Sequence, residues 1–172
     1  MIIRQEVITD YTKVYELVKT SFATASHSDG TEADYLNDIR NEDTFIPELS
    51  LVAEYDRGRI VGQIVLYKAI ITTPDESITE LVLSPICVHP DFFRRGIARA
   101  LMERAFEIAC DMGYKAVFLC GEPEIYRRLG FIPTFEYGIY HIADTEKNAE
   151  WCMVRELQSG ALTGINGTID IV

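Results

Sequence analysis

Residues Ile86 to Met112 constrain this chain more than any other stretch. They read as an apolar strand ending at Val88, then a loop broken by Pro90 that carries Arg94, Arg95 and Gly96. A long amphipathic helix begins at once. The first turn of a helix leaves backbone N–H groups without intrahelical partners, and the helix dipole places partial positive charge there. A glycine lets a ligand approach the main chain with no Cβ in the way. This order predicts an anion site built from backbone amides, whose usual guest is phosphate.

Two phosphate loops are excluded. A Walker A loop needs Lys-Ser or Lys-Thr after its last glycine, and Gly96 is followed by Ile97 and Ala98. A dinucleotide fingerprint needs three spaced glycines, and this loop has one. The wider chain agrees with a local site. Its net charge of −11, from 16 basic and 27 acidic residues, disfavours sequence-independent binding to nucleic acid or an anionic membrane. Arg94, Arg95, Arg99 and Arg104 are therefore a local exception. An arginine pair on a helix is ordinarily a solvated face; at a helix start beside a glycine it favours an anion.

The 172 residues, 48% of them hydrophobic and 25% charged, suit one domain with a substantial core. No apolar run approaches the ~20 residues of a membrane span, and charge arrives too early at the N-terminus for a signal peptide. A cytoplasmic protein is expected. Cys87, Cys110, Cys120 and Cys152 form no Cys-x-x-Cys pair and read as reduced core residues. His27, His89 and His141 are scattered, so no metal is expected.

Along the chain, Met1 to Val7 reads as a strand, and Thr9-Asp10 offers a cap for a helix from about Asp10 to Phe22. Ala23 to Gly30 is a loop. Thr31 can cap a second helix through Asn41. Leu49 to Tyr55, Ile60 to Ile71 and Ile78 to Val88 form an antiparallel meander, interrupted at Pro85, which suits a bulge or an edge. The long helix stops at Gly113. Tyr114 to Cys120 is a buried strand, parallel to the one before the helix because a helical crossover joins them. Pro123 opens a short helix that Gly130 ends. Ile132 to Ile142 and Trp151 to Leu157 read as closing strands, and a glycine-rich tail ends in a short strand.

Phe93-Arg94-Arg95-Gly96-Ile97-Ala98 resembles the acyl-CoA loop of the GNAT N-acetyltransferase superfamily, Gln/Arg-x-x-Gly-x-Gly/Ala. It departs only at Phe93, which forfeits a polar contact. Tyr126-Arg127-Arg128-Leu129-Gly130-Phe131 resembles that family's second signature, and the Gly-Glu-Pro loop and tail resemble its YhbS-like branch. The resemblance implies an α/β (α+β) fold in one domain over residues 1–172: a mixed, mostly antiparallel sheet of about six to seven strands with about four helices. One parallel strand pair would splay to form an acyl-CoA slot.

The resemblance also implies roles. Ile86, Cys87 and Val88 would pair with the pantetheine arm. Phe93, Arg94, Arg95, Gly96, Ile97, Ala98 and Arg99 would surround the pyrophosphate. The Val88 N–H would hold the developing oxyanion, a contribution of roughly 3–4 kcal/mol from one donor in other enzymes. Tyr126 would lie beside the CoA sulfur and protonate the leaving thiolate, as a phenol with an ordinary pKa near ~10 can; a structural tyrosine is the alternative. For the base, Glu80, Glu122 and a water relay stay open. The implied activity is acetyl transfer from acetyl-CoA to a primary amine by direct attack. A catalytically silent acyl-CoA-binding sensor is the alternative. The amine and the oligomeric state stay open, a homodimer being common in that family. The acidic content of residues 29–43 fits either a cationic acceptor or plain solubility.

Overall fold

In a computed structural model, every residue except Thr24, Ser26 and His27 is described. The loop expected over 23–30, and His27 with it, therefore lie partly outside the described residues. Two compact units emerge, Met1–Leu66 with Ser84–Ile108, and Tyr67–Leu83 with Ala109–Val172.

The first unit begins with β1 (Ile2–Gln5), antiparallel to β2 (Phe45–Tyr55) in the register Ile2↔Glu54 to Gln5↔Leu51. Between them run α1 (Tyr11–Phe22) and α2 (Glu32–Ile39). The Asp10 carboxylate takes the Val7 N–H at 3.0 Å and the Arg4 guanidinium at 2.6 Å. Arg4 holds that carboxyl below its usual range. Val14, Leu17 and Val18 of α1 pack with Ala33 and Leu36 of α2 over Val52, Val65 and Cys87. Arg40, just past α2, pairs with the Glu6 carboxylate, which also accepts the Ser50 hydroxyl at 2.7 Å.

Two long strands, β3 (Arg59–Thr72) and β4 (Ser77–Val88), pass through both units. A Cβ on Gly62 of β3 would stand 3.0 Å from both Ile97 Cγ2 and Leu101 Cδ1. The missing side chain thus lets α3 (Ile97–Asp111) seat its first two turns on β3. That contact fixes where the helix start points.

In the second unit, β5 (Ala116–Cys120) runs parallel to β4 through Leu81↔Val117 and Val82↔Phe118. It pairs antiparallel with β8 (Cys152–Glu156) along its whole length, Ala116↔Glu156 to Cys120↔Cys152. A short α4 (Pro123–Tyr126) leads into a 3-10 turn, Arg127–Leu129, ended by Gly130 at φ +85°. The expected strand over Ile132 to Ile142 is corrected: it breaks into β6 (Ile132–Pro133), a 3-10 turn at Thr134–Tyr137 and β7 (Ile139–His141). Gly138, at φ +76°, makes the corner. β9 (Gly167–Ile169) pairs with β7 and β3. The hydrogen-bonded order is β1-β2-β3-β4-β5-β8-β6, mostly antiparallel, with nine strands among the described residues. Cys110 also departs from expectation, being exposed, since it falls beside the apolar stripe of α3.

Candidate functional site

The end of β4 supplies directed amides. The His89 N–H donates to the Val61 carbonyl at 2.8 Å, so it points at β3. Successive extended residues aim their N–H groups to opposite sides of a strand. The Val88 N–H, and by the same alternation that of Ile86, therefore faces the edge of β4 away from β3. Pro85 has no N–H to contribute. The Cys87 thiol lies in the core with α1 and α2, where burial pushes its pKa up to about 12. It is inert, and only the main chain of Cys87 is on offer.

The loop after β4 is pinned by Phe92, which is 7% exposed, whereas Phe93 is 55% exposed. Tyr55 meets the Phe92 ring edge-on at 5.2 Å. The Arg59 and Arg95 guanidinium groups lie 5.0 and 4.8 Å from its centre. Asp91 accepts only a loose contact from Arg59, at 3.7 Å. Two cations thus share one ring, which concentrates positive charge beside the helix start.

Arg94 and Gly96 both take positive φ, 60° and 75°. Such turns gather successive N–H groups into an anion-holding concavity. A Cβ at Gly96 would meet nothing within 4 Å. Glycine is there for its backbone conformation and for open access, rather than for packing. Ile97 is buried and starts α3, Ala98 is half-buried, and the side chains of Arg94, Arg95 and Arg99 are exposed.

The second unit carries Tyr126. The Gly121 N–H donates to the Trp151 carbonyl at 2.8 Å, closing the end of the β5–β8 ladder. The Tyr126 ring lies directly on Gly121 and meets Phe131 edge-on at 5.8 Å. Burial raises the phenol pKa above its ordinary value, so the hydroxyl is protonated at neutral pH. Glu122 starts α4 through its carbonyl, which accepts the Ile125 and Tyr126 N–H groups at 3.0 and 3.1 Å, and its side chain makes no cap.

Glu80 is placed at the start of β5. It is 6% exposed, and its Oε2 accepts the Lys115 N–H at 2.9 Å and the Ala116 N–H at 3.1 Å. Burial raises its pKa, against the pull of those amides. The carboxylate clamps the start of β5, while Tyr126 rests on Gly121, just past the other end of that strand. In this arrangement Glu80 serves as a clamp on β5. Sequence reasoning also missed Phe92 as the loop anchor and assigned Arg59 no functional role. The adjacent Phe92-Phe93 pair was the available signal, since one of two neighbours in a loop must turn inward.

The family model of the acetyltransferase (GNAT) domain matches residues 3–134. The chain belongs to the GNAT acetyltransferase family. It is 28% identical to the uncharacterized N-acetyltransferase YhbS of Escherichia coli (strain K12), over 99% of this chain and 95% of that protein. The crystal structure of E. coli YhbS in complex with CoA matches with a TM-score of 0.84 at 24% identity, covering 99% of this chain and 89% of the other. A GNAT family acetyltransferase from Brucella melitensis, solved with acetyl-CoA, matches with a TM-score of 0.77 at 21% identity, covering 99% and 95%. The mixed sheet with its parallel β4–β5 pair is the GNAT fold.

Proposed function

We propose that this protein transfers an acetyl group from acetyl-CoA to a primary amine by direct attack, with residues 1–172 acting as one acetyltransferase domain. The observation that carries the proposal is the Arg94–Gly96 loop. Two positive-φ residues, open space at Gly96 and the cations of Arg59 and Arg95 suit a pyrophosphate. YhbS with CoA and the Brucella enzyme with acetyl-CoA supply the ligand class.

The Ile86 and Val88 amides suit the pantetheine arm and the thioester carbonyl. The amine nitrogen attacks the carbonyl carbon, the carbonyl oxygen takes the charge, and the Val88 N–H donates to it. As the tetrahedral centre collapses, the C–S bond breaks and the Tyr126 phenol gives its proton to the sulfur. Glu80 takes no part. The attacking amine either binds neutral or loses its first proton to water or Glu122; the second proton, shed as the amide forms, passes through water and restores the Tyr126 phenol.

Isothermal titration calorimetry with acetyl-CoA and CoA tests the first half, on wild type, Gly96→Ala and Gly96→Glu. Micromolar binding that Gly96→Glu abolishes supports the site; no binding by wild type at millimolar ligand overturns it. Thiol release across a panel of amines tests the second half. Because Glu80 is occupied elsewhere, a silent acyl-CoA sensor is the competing reading. Binding without turnover of any amine, unchanged in Tyr126→Phe, would establish that reading instead.

A further inference from the structure

Cys120 and Cys152 are both free thiols and stand directly opposite each other in the β5–β8 register. The Gly121 N–H to Trp151 carbonyl bond makes the next pair along, Gly121 and Trp151, a hydrogen-bonded one. Antiparallel ladders alternate, so Cys120 and Cys152 occupy a non-hydrogen-bonded position, where Cα atoms approach to about 4.5 Å and side chains are closest. Disulfides form at Cα separations of roughly 4.4–6.8 Å. The Cys120 thiol donates a long hydrogen bond to the Ile171 carbonyl at 3.8 Å, and no covalent bond holds either sulfur. The remaining cysteines are placed differently: Cys87 is enclosed under α1 and α2, and Cys110 is exposed on α3.

We propose that Cys120 and Cys152 are a hydroperoxide-sensitive dithiol that closes to a disulfide across the end of β5 and the start of β8. Cys120 is half-buried and is the sulfur an oxidant reaches; Cys152 is fully enclosed. In the first step the Cys120 sulfur attacks one peroxide oxygen. The O–O bond breaks, a sulfenic acid forms, and one water leaves with the thiol proton. In the second step the Cys152 sulfur attacks the Cys120 sulfur. The S–S bond forms, and the hydroxyl leaves as a second water with the Cys152 proton. Two thiols are oxidised and one peroxide is reduced. Enclosure of Cys152 beside the sulfenic acid favours this closure over further oxidation. The bridge sits one residue before Gly121, at the root of the loop on which Tyr126 rests. This site does not depend on the transferase reading.

The test uses the reduced full-length chain, treated with hydrogen peroxide, quenched, then denatured and alkylated. Intact mass should fall by two hydrogens, two thiols should escape alkylation, and peptide mapping should link Cys120 to Cys152, all reversed by dithiothreitol. Cys120→Ser and Cys152→Ser should each abolish that loss, and Cys110→Ser should leave it intact. If Cys152→Ser fails to fold, Cys120→Ser, at the half-exposed position, decides alone. A gain of oxygen atoms with no linked peptide, or a covalent dimer through Cys110 with Cys120 and Cys152 still alkylated, would overturn the proposal.

Discussion

A methyl group on Gly121 would lie 2.8 Å from Cδ2 of Tyr126, so the ring rests on bare main chain at the end of β5. The glycine is needed for room, since its backbone is not left-handed. Gly121→Ala should push the ring off its seat at an overpacking cost of about 1–3 kcal/mol. For any amine that the wild type acetylates, kcat should fall at least about tenfold, one decade being ~1.4 kcal/mol. CoA affinity, which the proposed site sets on the β4–α3 loop, should stay within about threefold. Steady-state thiol release and calorimetry read the two separately. Unchanged kcat would mean that the position of Tyr126 does not matter to turnover.

The same enclosure sets a pH expectation. Burial disfavours the phenolate, so the Tyr126 pKa lies above that of an ordinary tyrosine. In the proposed mechanism the proton donor is the neutral phenol, active below its pKa and lost as pH rises through it. The basic limb of kcat should therefore fall above pH ~10, later than for an unperturbed tyrosine. Tyr126→Phe should lower kcat by roughly 10²-fold or more and remove that limb. A basic limb that persists in Tyr126→Phe belongs to another group.

The strand–loop–helix unit was legible because it is local. The apolar run to Val88, the Pro90 break, Gly96 and the amphipathic helix from Ile97 all lie within a few turns of each other. The seat of α3 was not legible: the reason β3 carries Gly62, the approach of Ile97 and Leu101, is a tertiary fact. The contacts of Glu80 were hidden for the same cause. Its partners are the amides of Lys115 and Ala116, more than thirty residues away. The split of residues 132–142 escaped because Phe135, Tyr137, Ile139 and Tyr140 carry strand-like side chains, while Gly138 and a 3-10 turn decide the backbone. Side-chain pattern reports burial; it does not report the corner.

Arg59 and Phe92 offer a test of the anion loop from outside its motif. Phe92 holds the loop down, and Arg59 shares its ring with Arg95. Arg59→Ala removes an exposed cation and should leave the melting temperature nearly unchanged. It should weaken CoA binding about three- to tenfold, and the loss should shrink at high salt because exposed charges are screened. Phe92→Ala should cost about 3–5 kcal/mol of stability as a buried aromatic truncation, and should weaken CoA more than Arg59→Ala does. Calorimetry at two salt concentrations checks the first, and thermal denaturation the second. Salt-independent loss in Arg59→Ala would assign Arg59 to packing.

Glu80 separates clamp from base in one pair of variants. Glu80→Gln keeps an oxygen for the Lys115 and Ala116 amides and removes a buried charge. Glu80→Ala leaves both amides unpaired, at about 1–3 kcal/mol for an unsatisfied group. As a clamp, Glu80→Gln should retain turnover within about twofold, whereas loss of a general base would cost roughly 10²–10⁴-fold. The pH dependence of stability carries the same distinction. Burial raises the folded pKa above the unfolded value, so the native state holds this proton more tightly. The resulting stabilisation is fully present below the unfolded pKa and is lost as pH rises through the folded one. Wild type should therefore lose ground to Glu80→Gln between acid and neutral pH, with the variant melting at an equal or higher temperature near pH 7. A variant that melts lower than wild type at neutral pH would show that the ionised carboxylate is what β5 needs.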